Sequence, residues 1–127
     1  MTAATGRLTV GVIGGGAVGV AIAQALAGAG HLLVGITAVS QKNLDRIEAQ
    51  LPSVDVLAPG EVLERSELVV LAIPDEELLP TIGGFSEAHL WRQGQLVAHT
   101  SAKHGYGILG TAAQQGCLLY TSDAADD

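Results

Sequence analysis

The sequence predicts an α/β domain built on an open, doubly wound, mostly parallel sheet. Three observations support this fold class. Short β-branched and aliphatic runs alternate with helix-like segments, the loops between them are short, and glycine or proline ends most of the runs. Strands that alternate with helices over short loops form parallel sheets through right-handed crossovers, so helices should cover both faces of the sheet.

Five runs of residues are predicted as strands. The first stops at a run of glycines, as expected of a central strand that is buried on both faces. The fourth is the clearest, and Pro74 ends it. The five runs are residues 8–13, 31–40, 54–58, 67–74 and 95–101. Their predicted order across the sheet is 3-2-1-4-5, the order of doubly wound nucleotide-binding domains.

The segments between the strands carry helical patterns. The first holds small aliphatic residues with the single polar Gln24, and the second is amphipathic with Ser40 or Asn43 as its N-cap. A later segment opens with three carboxylates, which favours a helix N-terminus. The predicted helices are residues 17–30, 43–51, 59–66, 75–85 and 106–116, with a further helical turn in 86–94.

Composition excludes several classes of protein. The chain has 127 residues, 48% of them hydrophobic and 15% charged, so one folded domain with a real core is expected. Three of the seven net negative charges are aspartates in the last five residues. The mildly acidic remainder offers no electrostatic footprint for nucleic acid or an anionic membrane. One cysteine cannot form an intrachain disulfide, so a reducing compartment, the cytoplasm, is expected.

The strongest motif is G-x-G-x-x-G, formed by Gly14, Gly16 and Gly19. It follows the first strand directly and opens the first helix, where such a turn binds the pyrophosphate of a dinucleotide. The helix N-terminus then offers unsatisfied N–H groups to the anion. The alternative is a flexible glycine turn without a ligand. The predicted cofactor contacts at this turn are Gly14, Gly15, Gly16, Ala17, Val18 and Gly19.

The residues after the second strand indicate which dinucleotide is bound. NAD sites usually hold the ribose hydroxyls with an acid about 20 residues after the turn, but here no acid occurs before Asp45. Lys42 and Arg46 are suited to neutralise a 2′-phosphate, so NADP is preferred over NAD. The alternative is that both cations belong to the solvated face of an amphipathic helix. The predicted contacts here are Ser40, Gln41, Lys42 and Arg46.

The carboxyl ends of the fourth and fifth strands should border the same cofactor, because ligands of open α/β sheets bind at that edge. The predicted contacts there are Ala72, Ile73, Pro74, Thr100 and Ser101. His99 and Ser101 are weak catalytic candidates, and a structural role is favoured for His99 in its apolar strand. The acids at 75–77 are expected to stabilise a helix start, so no metal site is predicted.

Three stretches together resemble a known family: "GVIGGGAVGVAIAQALAGAGH", "VVLAIPDEEL" and "VAHTSAKHGYGIL". They are similar to the N-terminal domain of Rossmann-like oxidoreductases related to pyrroline-5-carboxylate reductase and the β-hydroxyacid dehydrogenases. The resemblance covers about residues 8–116. It implies a second, mostly helical domain that supplies much of the substrate pocket and usually forms a homodimer. The family's His-Thr-Ser-Gly pattern is broken here by Ala102.

The last eleven residues, "CLLYTSDAADD", have a different origin in this interpretation. Residues 117–126 can be written as the codons TGT CTC TTA TAC ACA TCT GAC GCT GCC GAC, a run that resembles a transposon-based sequencing adapter translated in one frame. We therefore expect residues 1–116 to be an incomplete NAD(P)-binding domain and residues 117–127 a non-native tail. The alternative is a native strand, "CLLYT", with an acidic end.

Two functions remain open at this point. The first is the cofactor half of an NADP-dependent oxidoreductase that transfers hydride to or from a small keto acid, hydroxy acid or imine, with no turnover by this chain alone. The second is a non-catalytic module that senses NAD(P) or another nucleotide and signals to a partner domain.

Overall fold

The computed structural model describes residues 7–101, 110–116 and 118–121. They form a five-stranded, fully parallel sheet with helices between the strands. The strands are β1 (Thr9–Ile13), β2 (Leu32–Ile36), β3 (Leu68–Leu71), β4 (Leu96–His99) and β5 (Leu118–Thr121). The helices are α1 (Ala17–Gly28), α2 (Gln41–Gln50), α3 (Pro59–Arg65), α4 (Asp75–Glu87) and α5 (Gly110–Gln114). The α/β fold class is confirmed.

The order of strands in the sheet is β2-β1-β3-β4-β5. The predicted first, second, fourth and fifth strands are β1, β2, β3 and β4, and they lie in the predicted order. The predicted third strand, residues 54–58, lies where the predicted order places it, parallel to β2 on its outer side, but it is reduced to a single bridge between Val56 and Ile36. The Ile36 N–H donates to the Asp55 carbonyl and the Leu57 N–H donates to the Ile36 carbonyl.

An additional strand, β5, pairs in parallel with the far side of β4. It lies inside the eleven-residue tail, at the place where the alternative interpretation of that tail puts a native strand. The helix before it, predicted over 106–116, is described as a helix from Gly110 onward. Its first residues, like Ala102, lie outside the described residues.

Aliphatic side chains fill the core on both faces of the sheet. One cluster packs beneath α3 and α4, and it includes Leu63, Leu71 and Leu78, all fully buried. The other packs beneath α1 and α2 around Val12 and Ile36. Burying such side chains is the main driving force of folding, at roughly 1.5–3 kcal/mol each. The two faces of a parallel sheet are therefore covered, as the uninterrupted apolar runs predict.

A buried hydrogen-bonded group closes the C-terminal end of α4. Trp91 is 6% exposed and packs edge-to-face on Phe85, with ring centroids 5.5 Å apart. Its indole N–H donates to Ser86 Oγ at 2.9 Å, and that hydroxyl donates to the Ile82 carbonyl. This end of α4 extends two residues beyond the predicted boundary, because Ser86 and Glu87 continue the helix to its C-cap at Ala88.

Candidate functional site

The turn between β1 and α1 is held between the ends of two neighbouring strands. Gly14 has a φ of 118°, a conformation that L side chains rarely adopt. Its N–H donates to Thr37 Oγ1 at 2.9 Å, just past the end of β2. On its other side, a Cβ at Gly14 would overlap the carbonyl of Ala72, which follows β3. Gly14 therefore fixes the turn at the carboxyl edge of the sheet.

Two further glycines in the turn are required by close packing. A Cβ at Gly19 would overlap the carbonyl oxygen of Gly14, so α1 approaches the turn as closely as a backbone allows. A Cβ at Gly15 would lie 2.9 Å from the Thr37 carbonyl oxygen and 2.8 Å from Ile47 Cδ1 of α2. Gly15 is buried, so its packing joins the turn to the second strand and the second helix.

Gly16 is different, because a Cβ there would meet no atom within 4 Å. It is the N-cap of α1 and contributes no side-chain cap, and the first turn of the helix contains no acid. The first N–H groups of a helix have no intrahelical acceptor and attract anions. Ala17 and Val18 are exposed beside this opening. The turn thus presents free donors to a space that any side chain at Gly16 would enter.

A second group of predicted residues lies at the N-terminal end of α2. Ser40 caps this helix, its Oγ accepting from the backbone N–H of Asn43 at 3.1 Å. Arg46 is half-buried, and its Nη1 donates to Asn43 Oδ1 at 2.7 Å. Gln41 donates to Asp45 Oδ1 at 2.8 Å, and Lys42 is exposed. The predicted residues Ser40, Gln41, Lys42 and Arg46 therefore share one end of one helix.

The ends of β3 and β4 continue the same edge. Ala72 N–H donates to the Ile13 carbonyl at 2.8 Å, and Thr100 N–H donates to the Leu71 carbonyl at 3.2 Å. A Cβ at Gly14 would lie 3.0 Å from Ile73 Cγ2, so Ala72 and Ile73 both lie against the glycine turn. Pro74 is exposed and is the N-cap residue of α4.

His99 and Ser101 lie at this edge but are buried. His99 is 2% exposed and Ser101 is 4% exposed. The backbone N–H of Ser101 donates to His99 Nδ1 at 3.1 Å, which places the proton of a neutral imidazole on Nε2. The buried imidazole of His99 accepts this backbone hydrogen bond and therefore suits a structural role at the end of β4. Neither side chain is open to solvent for acid–base chemistry in the described part of the chain.

Sequence reasoning missed two residues that organise the site. Thr37 accepts the hydrogen bond that fixes Gly14, and Asn43 holds the guanidinium of Arg46. A hydroxyl residue directly after the second strand was the available signal for Thr37. The role of Asn43 depends on a side-chain rotamer, which the spacing of residues does not reveal.

Two cavities lie away from the glycine turn. One of about 420 Å³ is at the opposite edge of the sheet and is lined by Leu8, Ser66, Glu67 and residues 92–96. The other, of about 250 Å³, lies between α2 and residues 51–56.

Among residues 7–101, 110–116 and 118–121, no group of three His, Cys, Asp or Glu side chains is arranged to hold a metal ion. None of the helices described there is long and apolar enough to cross a bilayer.

Comparison with known proteins identifies the family. Residues 2–122 match the family model of the Rossmann-like domain. The chain belongs to this family. The match includes the turn, both ends of the site and β5. A comparison of the sequence with curated proteins gives no significant match.

Solved structures share the fold of this Rossmann-like domain. Mycobacterium tuberculosis 3-hydroxyisobutyrate dehydrogenase is 19% identical with a TM-score of 0.73, the alignment covering 91% of this chain and 40% of that chain. Streptomyces aurantiacus imine reductase is 24% identical with a TM-score of 0.69, covering 89% and 40%. A semialdehyde dehydrogenase NAD-binding protein from Cupriavidus necator, solved with calcium and NAD, is 19% identical with a TM-score of 0.69, covering 90% and 40%. The chain therefore spans about 40% of the length of these proteins.

Proposed function

We propose that this Rossmann-like domain binds a dinucleotide, with NADP preferred over NAD, as the cofactor half of an oxidoreductase. The observation that carries the proposal is the contrast within the turn. Three of its glycines are closed in by neighbouring backbone or side-chain atoms, whereas Gly16 opens on empty space beside the free N–H groups of α1. That combination is what a pyrophosphate requires, because the anion needs both donors and close access to the backbone.

In this proposal each part of the edge has one task. The N–H groups at the start of α1 bind the pyrophosphate, and the missing Cβ of Gly16 admits it. Ala72, Ile73 and Pro74 form the wall next to the nicotinamide half, with Thr100 and Ser101 at the end of β4. The dinucleotide, when bound, supplies the hydride chemistry, and the protein orients it and excludes competing reactions.

The preference for NADP rests on charge at the start of α2. Lys42 is exposed, Arg46 is half-buried, and neither forms an ion pair with a carboxylate among the described residues. Asp45, the acid that lies between these two cations in the sequence, accepts a hydrogen bond from Gln41. An acid that holds a ribose hydroxyl would repel a 2′-phosphate, whereas two uncompensated cations attract it.

The substrate class is inferred from the solved proteins of the same fold. Their names describe a dehydrogenase of a hydroxy acid, an imine reductase and a semialdehyde dehydrogenase NAD-binding protein. We infer hydride transfer to or from a small hydroxy acid, keto acid or imine in a longer parent protein in the cytoplasm. A helical domain in that parent would complete the substrate pocket and form a homodimer. The present chain is expected to bind cofactor without turnover.

The origin of the tail is a separate proposal. We infer that residues 117–127 are not native, because ten consecutive residues agree with a translated adapter. The pairing of β5 with β4 and the family match as far as residue 122 favour the alternative, a native strand, and the source DNA decides between the two.

A nucleotide-sensing module is the second candidate, and it is consistent with the burial of His99 and Ser101. The same burial fits an enzyme whose proton-exchanging group lies in the helical domain proposed above. The two functions share the dinucleotide site. They differ in whether a substrate pocket adjoins that site in the longer protein.

Calorimetric titration of the 127-residue chain with NADPH, NADH and ATP tests the proposal. We expect saturable binding of NADPH, weaker binding of NADH and weakest binding of ATP. Gly16→Val is expected to abolish binding of both dinucleotides, because its side chain occupies the open space at the turn. Equal binding of NADH and NADPH would refute the NADP preference, and absence of any nucleotide binding would refute the site itself.

A further inference from the structure

We infer that Asn43 is a positioning residue that holds Arg46 in place for the 2′-phosphate of NADP. The inference rests on the proposed function and deepens it, because it names the residue on which cofactor selectivity depends. Asn43 itself is not assigned a contact with the cofactor. It acts through the guanidinium of Arg46.

The hydrogen bond between the two side chains sets the direction of Arg46. Nη1 of Arg46 donates to Asn43 Oδ1 at 2.7 Å, three residues toward the start of α2. Long side chains on a helix already lean toward its N-terminus, and this bond fixes one such arrangement. The guanidinium is therefore drawn to the helix end that adjoins the carboxyl edge of the sheet, where the glycine turn also lies.

The neutral partner leaves the positive charge of Arg46 available. An amide oxygen fixes the guanidinium without neutralising it, whereas a carboxylate would do both. No carboxylate of the described residues forms an ion pair with Arg46. The adjacent acid, Asp45, is held instead by Gln41. A guanidinium has further N–H donors, and these remain for a phosphate.

The side chain of Asn43 is separable from the cap of the helix. Ser40 Oγ accepts from the backbone N–H of Asn43, so an alanine at this position keeps the cap. Asn43→Ala is therefore expected to remove the hold on Arg46 while α2 still begins at Gln41. An ordinary solvent-exposed pair of side chains on a helix would give the same small change in stability but no change in ligand selectivity.

The test compares adenosine 2′,5′-bisphosphate with adenosine 5′-monophosphate as ligands, by calorimetry on the full chain. The two probes differ only in the 2′-phosphate. The variants are Asn43→Ala, Arg46→Ala and the double variant. Gln50→Ala is the matched control, an exposed residue at the other end of the same helix.

We expect Arg46→Ala to weaken the bisphosphate at least tenfold, since a hydrogen bond to a charged group contributes about that much. Asn43→Ala should weaken it roughly three- to tenfold, the value of one ordinary hydrogen bond. Neither variant should change the affinity for the monophosphate. In the Arg46→Ala background, Asn43→Ala should have no further effect, because the residue through which it acts is gone.

Each other outcome has a distinct meaning. If the unmodified chain binds neither probe, the proposed function fails and the inference fails with it. If Arg46→Ala removes the selectivity but Asn43→Ala does not, the inference fails and the proposed function stands. An effect of Asn43→Ala that is equal for both probes, or additive with Arg46→Ala, also overturns the inference.

Discussion

Two glycines in the same turn should differ in how much stability the protein loses when each is replaced by alanine. At Gly19 the added Cβ would overlap the carbonyl oxygen of Gly14, and both atoms belong to backbone that no rotamer change can move. At Gly16 the added Cβ would meet nothing within 4 Å. The same chemical change, three residues apart, therefore separates a glycine needed for packing from one that leaves room for a ligand.

The expected loss in the free energy of unfolding follows from the overlap of the added Cβ with rigid backbone. Overpacking at a rigid site costs about 1–3 kcal/mol or more, and alanine recovers only about 1 kcal/mol of helix propensity over glycine. Gly19→Ala should therefore lower the free energy of unfolding by about 2 kcal/mol. Gly16→Ala replaces glycine by a residue that is less favourable at an N-cap, but it meets no overlap, so it should lower the free energy of unfolding by only about 1 kcal/mol or less.

Urea denaturation followed by the fluorescence of Trp91 measures both changes. Trp91 is the single tryptophan and is buried on the opposite face of the sheet, so it reports global unfolding without touching the turn. Gly16→Ala should also weaken NADPH binding although the protein stays folded. The reasoning is refuted if Gly19→Ala is as stable as the unmodified chain, or if Gly16→Ala is equally destabilised.

Two other predictions rest on particular hydrogen bonds, and a third concerns the origin of the tail. Thr37→Val keeps the shape of the side chain but leaves the Gly14 N–H without its acceptor. We expect the free energy of unfolding in urea to fall by about 1–3 kcal/mol and NADPH binding to weaken. Unchanged values of both would contradict the role of this hydrogen bond. Ser86→Ala removes the acceptor of the Trp91 indole N–H and should lower the free energy of unfolding by about 1–3 kcal/mol. Thermal and urea unfolding midpoints that do not change would contradict this prediction. Sequencing the source DNA past codon 116 should reveal an open frame that continues into a helical domain, and a genomic frame that encodes residues 117–127 and then stops would disprove the adapter origin.

The sequence was sufficient for four of the five strands, β1 to β4, because these strands carry their own signals. Glycine follows β1 and proline lies just after β3, and the stretch without charged residues from 8 to 41 indicates burial on both faces. The predicted strand at 54–58 is only a single bridge to β2, because the pattern of residues does not show how far an edge segment pairs. β5 was treated as part of a foreign tail, although its residues favour strand structure.

The candidate site was only partly predictable. Spacing alone placed Gly14, Gly16 and Gly19 at one turn, but it did not reveal that Gly15 is enclosed by α2. The side-chain hydrogen bonds of Thr37 and Asn43 depend on rotamers and, for Thr37, on a segment distant in sequence. The pattern of residues therefore does not predict them.

The central claim is that the carboxyl edge around the glycine turn binds a dinucleotide. Its most direct test is an NMR titration of the ¹⁵N-labelled chain with NADPH. We predict that the amide signals of Gly15, Gly16, Ala17 and Lys42 shift with a common saturation curve. The account is contradicted if no signal moves, or if the shifts map to residues 92–96 beside the cavity at the opposite edge.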